Sequence, residues 1–183
     1  MLIGKGWAFI HIPKCGGTSV RAVLEGAERA DVMPLYPRNT AAHRYHWLAL
    51  RRPRGTVFTL VRHPATWLRS YWLHRMRHGW MADRYLDRLG SQHMAEFMRR
   101  VCYHEPGYVS EMYRAYTEHW PRIRVFRLED GVSEAIKEAT GIQKHVPRHN
   151  SAEELPEIKP AVLAMIAKSE AVALDTFGYK EKP

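Results

Sequence analysis

Cysteine is nearly missing from this chain. Two occur among 183 residues, Cys15 in a glycine loop and Cys102 in a predicted helix, so a disulfide framework is excluded as the organising device. No apolar run approaches the roughly 20 residues that a membrane helix requires, and no membrane span is expected. Met1-Leu2-Ile3-Gly4-Lys5-Gly6-Trp7 is too short, ahead of the first apolar strand, to hold a signal peptide, so the expected location is cytoplasmic. Repeats and low-complexity tracts are also missing, and a 45% hydrophobic chain of this length fits a single domain over residues 1–183. Acidic residues are in short supply: 19 Asp and Glu face 28 Lys and Arg, a net charge of +9. The deficit lies in residues 1–150, which carry 24 basic and 13 acidic residues, while the remainder is net negative. Such a balance favours an anionic ligand.

What is present is organised around Phe9-Ile10-His11-Ile12-Pro13-Lys14-Cys15-Gly16-Gly17-Thr18-Ser19-Val20. An apolar run breaks into a lysine-bearing glycine loop and resumes with helical spacing, which reads as strand, phosphate loop and helix. Gly16 and Gly17 permit a tight turn, Thr18 and Ser19 offer hydroxyls at a helix start, and Lys14 adds a mobile point charge. In the nucleoside-triphosphatase loop the lysine follows the last glycine; here Lys14 precedes both. A second stretch, Val57-Phe58-Thr59-Leu60-Val61, predicts a buried strand that delivers Arg62-His63-Pro64, followed by Trp67, Leu68, Tyr71, Trp72 and Met76 as the apolar stripe of a helix. Arg69, Arg75, Arg77 and His78 fall outside that stripe. In an open parallel sheet ligands sit beyond the carboxyl ends of the strands, so both polar loops are expected to open on one crevice.

Together, Pro13-Lys14-Cys15-Gly16-Gly17-Thr18-Ser19 and Leu60-Val61-Arg62-His63-Pro64, with Ser70 eight residues after Arg62, resemble the sulfotransferase family, whose donor is 3′-phosphoadenosine 5′-phosphosulfate (PAPS). The resemblance extends more weakly to Val125-Phe126-Arg127-Leu128-Glu129-Asp130, to His149-Asn150-Ser151 and to Asp175-Thr176-Phe177-Gly178-Tyr179. It implies that Lys14, Cys15, Gly16, Gly17, Thr18 and Ser19 cradle the 5′-phosphosulfate, that Arg62 and Ser70 bind the 3′-phosphate, and that Arg148, in a basic loop, closes over the donor. The implied fold is α/β, a three-layer arrangement of a parallel sheet flanked by helices with a nucleotide-kinase-like core.

Sulfuryl transfer to a hydroxyl requires a base, and histidine titrates in the useful range. His43 and His46 lie three residues apart in a predicted short helix over residues 41–50, and by position relative to the arginine segment His43 is the first candidate and His46 the second. No third ligand stands at motif spacing, so no metal is expected. Cys15 reads either as a reactive thiol or as a small residue fitted into the loop, and Tyr85, Tyr103, Tyr108 and Tyr113 either as acceptor-stacking rings or as packing residues. Further elements are a strand over 123–128 followed by the acidic pair Glu129-Asp130, a helix over 133–140 stopped by Gly141, and a last helix opened by Pro160.

The expected partner is a small-molecule or carbohydrate acceptor with a hydroxyl group, with a homodimer as one arrangement that closes the acceptor site. Two other readings stand beside this one. A Mg²⁺-dependent phosphotransferase or nucleotide hydrolase would use the same loop for a nucleoside triphosphate. A non-enzymatic nucleotide or nucleic-acid module would use the positive charge, although no recognition motif for nucleic acid is present.

Overall fold

The computed structural model describes residues 1–24, 28–29, 55–81, 84–118, 120–146 and 156–183. The chain divides into two compact units, one formed by Met1–Arg62 and Arg114–Glu153, the other by His63–Tyr113 and Glu154–Pro183.

The first unit contains the sheet. Strands β1 (Leu2–Gly4), β2 (Trp7–Ile10), β3 (Glu28–Arg29), β4 (Thr56–Val61) and β5 (Arg124–Arg127) stand in the order β3-β1-β2-β4-β5. The three strands β2, β4 and β5 run parallel, with Phe9 opposite Phe58 and Val61 opposite Arg127. The fully parallel sheet expected from the sequence is corrected at one edge, where β1 pairs antiparallel with both β2 and β3. The cause is local: only Lys5 and Gly6 separate Gly4 from its partner Trp7, and a two-residue connection makes a hairpin, whereas a parallel pair needs a crossover of a dozen residues or more.

Aromatic rings knit the parallel strands. Phe9 and Phe58, both buried, meet at 5.2 Å between centroids, and Phe58 meets Phe126 edge-on at 6.3 Å. Such pairs add roughly 0.5–1.5 kcal/mol each beyond the area they bury. Helix α1 (Gly17–Val23) follows β2 and buries Val20 and Val23.

In the second unit, helix α2 (Pro64–His78) has proline at its first turn, where the missing N–H costs nothing. Trp67 and Leu68 are buried as the pattern predicts, and Tyr71 stacks on Trp67 and on Phe97 of α3 (Met94–His104). The sequence pattern fails at Met76, a predicted stripe residue that is exposed, and at Arg75. That residue is only 2% exposed, its Nε lies 3.2 Å from Asp87 Oδ1, and Asp87 in turn accepts from the Tyr71 hydroxyl at 2.5 Å and from the Met81 amide at 2.8 Å. A buried partner supplied by a 3₁₀ turn (Asp87–Leu89) makes the inward arginine affordable, and no helical periodicity announces that partner.

Residues 105–107 separate α3 from α4 (Tyr108–Thr117), whose residues 108–113 belong to this unit. Buried Glu170 closes the α4 amino terminus by accepting from the amides of Val109 and Ser110 and from the Ser110 hydroxyl. The Ser110 oxygen also accepts from the Ala173 amide. Burial raises the Glu170 carboxyl above its ordinary range, against the opposing pull of those hydrogen bonds. In the first unit, α5 (Val132–Thr140) ends on Gly141 in the left-handed conformation, as expected from the sequence. The last stretch of the chain forms α6 (Pro160–Ser169), opened by Pro160, and then α7 (Ala171–Thr176), both in the second unit. None of the described helices is long and apolar enough to cross a membrane.

Candidate functional site

The glycine loop leaves the carboxyl end of β2 and reaches α1 in six residues, His11 to Gly16. Its backbone is unusual at two points. Lys14 has φ 65°, the one positive value at a non-glycine residue among those described, and Gly16 has φ 78° immediately before the helix. Two left-handed residues around Cys15 turn the chain sharply, and the Cys15 amide donates to the Ile12 carbonyl across that turn at 3.3 Å. Side chains underneath explain both glycines. A Cβ on Gly16 would stand 2.7 Å from Leu128 Cδ1, and one on Gly17 would overlap the His11 ring.

Cys15 is 1% exposed, which favours the reading of a small residue fitted into the loop over that of an accessible thiol. Thr18 is exposed and Ser19 buried, so the two hydroxyls of the predicted cradle differ in their access to solvent. Lys14 is half-buried.

The structure brings one distant motif to the loop. Arg62 follows β4, the parallel neighbour of β2, and its Nη1 donates to the Lys14 carbonyl at 3.3 Å. Three residues earlier, the buried Thr59 hydroxyl donates to the Ile10 carbonyl at 2.7 Å and ties the same two strands. The end of β5 joins them through Leu128, whose side chain lies beneath Gly16. The carboxyl ends of three parallel strands therefore converge on the loop, the position at which open α/β sheets bind ligands. Just beyond β5, Asp130 pairs with Arg127 at 2.7 and 3.0 Å.

His11 was not singled out by sequence reasoning, yet its ring packs directly against the glycine turn. Its ring stacks on Phe9 at 6.1 Å and fills the space beneath Gly17. Burial, then the positive charge of Arg21, lowers its pKa from 6.5 to about 4, so it is neutral at pH 7. The signal in the sequence was a histidine directly after a strand and six residues before a glycine, and no spacing rule ranks that above the other ten histidines.

His63 has a structural role at the start of α2. Its Nδ1 accepts from the Ala65 amide at 3.2 Å, which caps α2, and the Nε2–H donates to the Lys180 carbonyl at 2.9 Å. Since an amide only donates and a carbonyl only accepts, both ring nitrogens are committed and the neutral tautomer is fixed. Ser70 is half-buried on α2, in the second unit. His43, His46 and Arg148 lie outside the described residues, as do the predicted helix over 41–50 and His149-Asn150-Ser151. Among the described residues no group of three or more His, Cys, Asp or Glu is arranged to hold a metal.

Of the four tyrosines weighed as stacking rings, Tyr108 and Tyr113 are buried packing residues, and Tyr113 meets Phe177 edge-on. Tyr85 stacks on Tyr108 and lies beneath the Arg88 guanidinium at 4.1 Å, whereas Tyr103 is 80% exposed. Comparison of the chain with protein-family models, with curated proteins and with solved structures found no match.

Proposed function

We propose that the protein is a sulfotransferase that moves a sulfuryl group from PAPS to the hydroxyl of a carbohydrate or small alcohol. The observation that carries the reading is the bond from Arg62 to the Lys14 carbonyl, because it unites the two motifs on which the family resemblance rests, 48 residues apart in sequence. The convergence of three parallel strand ends on a lysine-bearing loop supports it further.

On this reading the core is the nucleotide-kinase-like one of that family. The loop amides and Lys14 hold the 5′-phosphosulfate, Arg62 and Ser70 the 3′-phosphate, and Arg148 covers the donor. His43, or else His46, takes the proton of the acceptor hydroxyl as its oxygen attacks sulfur. The bond from sulfur to the bridging phosphate oxygen breaks in line, and Lys14 stabilises the charge that builds on the departing 3′-phosphoadenosine 5′-phosphate. No metal takes part. His63 is unsuited to the base role because both nitrogens are engaged, and His11 because a pKa of about 4 makes it a weak base. The enzyme is expected in the cytoplasm.

Calorimetric titration with 3′-phosphoadenosine 5′-phosphate and with ATP, each with and without Mg²⁺, tests the reading. Tight metal-independent binding that requires the 3′-phosphate is expected, and preference for ATP with Mg²⁺ would replace it with the phosphotransferase reading. Loss of one electrostatic donor of this kind costs ~10²–10³ in rate, so Lys14→Ala is expected to lower turnover by that factor. Single His43→Ala and His46→Ala variants then identify the base.

A further inference from the structure

We propose that Arg62 is the latch of the glycine loop: its guanidinium holds the Lys14 carbonyl, and with it the left-handed turn, so that anion binding by the loop depends on Arg62 even when the ligand has no 3′-phosphate. The inference rests on the donor-loop reading above and assigns Arg62 a positioning role in addition to phosphate contact.

Three observations lead to it. Lys14 has φ 65°, a region that a residue with a Cβ adopts only where its surroundings enforce it. Leu128 lies beneath Gly16 and His11 beneath Gly17, whereas the bond from Arg62 acts on Lys14 itself. Arg62, moreover, is placed from outside the loop. It follows directly on β4, whose pairing with β2 and whose Thr59 bond to Ile10 set its distance from the turn.

The chemistry of the side chain suits a double task. A guanidinium has five N–H donors in a fixed fork, so one can remain on the Lys14 carbonyl while others face an anion. An ammonium is a single point charge and cannot reproduce that geometry. Arg62→Lys is therefore expected to behave much like Arg62→Ala at the loop.

Two measurements on the full chain test the latch. In the first, amide hydrogen exchange across residues 14–19 is followed without ligand in wild type, Arg62→Ala and Arg62→Lys, with helix Pro160–Ser169 as the internal reference for folding. Exchange in the loop is expected to rise by about tenfold in both variants while the reference helix is unchanged, since one charge-assisted hydrogen bond is lost. Unchanged exchange at the loop overturns the proposal. If Arg62→Ala fails to fold, Arg62→Lys keeps the aliphatic stem and gives the same readout.

In the second, adenosine 5′-phosphosulfate and 3′-phosphoadenosine 5′-phosphate are titrated into the same three proteins. Adenosine 5′-phosphosulfate, which lacks the 3′-phosphate, is expected to lose about tenfold in affinity in the variants. Loss confined to 3′-phosphoadenosine 5′-phosphate overturns the latch and leaves Arg62 as a phosphate contact only. Failure of wild type to bind either nucleotide refutes the donor reading instead, and the exchange measurement still decides the latch.

Discussion

Protonation of His11 is expected to destabilise the folded chain, and the size follows from its environment. The ring sits between Phe9 and the first turn of α1, where burial and Arg21 lower its pKa from 6.5 to about 4. The unfolded chain therefore binds the proton more tightly than the folded one, and stability falls as pH drops from above 6.5 toward 4. With one pKa unit equal to 1.36 kcal/mol, His11 alone removes about 1.4 kcal/mol by pH 5.5 and about 2.5 kcal/mol by pH 4.5, relative to pH 7.5. Urea unfolding followed by circular dichroism at these three pH values, on wild type and His11→Gln, isolates the effect, because all other titrating groups are common to both proteins. The variant is expected to have a flatter dependence on pH by those amounts, and the His11 ring resonances are expected to titrate near pH 4. Parallel stability curves for the two proteins, or a ring that titrates near 6.5, would refute the argument.

Asp87→Ala strands the buried Arg75 charge and orphans the Met81 amide, and is expected to cost about 3–5 kcal/mol in denaturant unfolding. The double replacement Arg75→Met with Asp87→Leu should recover most of that loss, since no charge is then left buried. Gly16→Ala meets both a left-handed backbone and the Leu128 methyl, and is expected to cost about 1–2 kcal/mol for the backbone alone. Adding Leu128→Ala should relieve the steric part of the loss and leave the backbone part, as read from the midpoint of urea unfolding. Glu170→Ala leaves the Val109 and Ser110 amides without their acceptor and is expected to cost about 3 kcal/mol, with early amide exchange at the start of α4 as its signature.

Much of the local structure was legible because its causes are local. The strand over 57–61, the stop at Gly141 and the opening at Pro160 each depend on residues within one turn of themselves. The glycine loop was legible for the same reason, since strand, turn and helix follow one another within seventeen residues. The antiparallel edge was missed although Lys5-Gly6 is a two-residue connection, because Leu2–Gly4 is too short to carry an alternating pattern of its own.

Residue order alone determined that the chain is α/β, that a lysine-bearing glycine turn follows a strand, and that an arginine segment follows another. Only the tertiary structure decided that Arg62 bonds the Lys14 carbonyl, that Leu128 and His11 lie beneath the two glycines, and that Arg75 turns inward to Asp87. The Arg62 and Leu128 contacts depend on which strands pair and at what register, and the Arg75 contact on which turn supplies the partner. Periodicity along the chain carries no information about contacts between segments that meet only after folding.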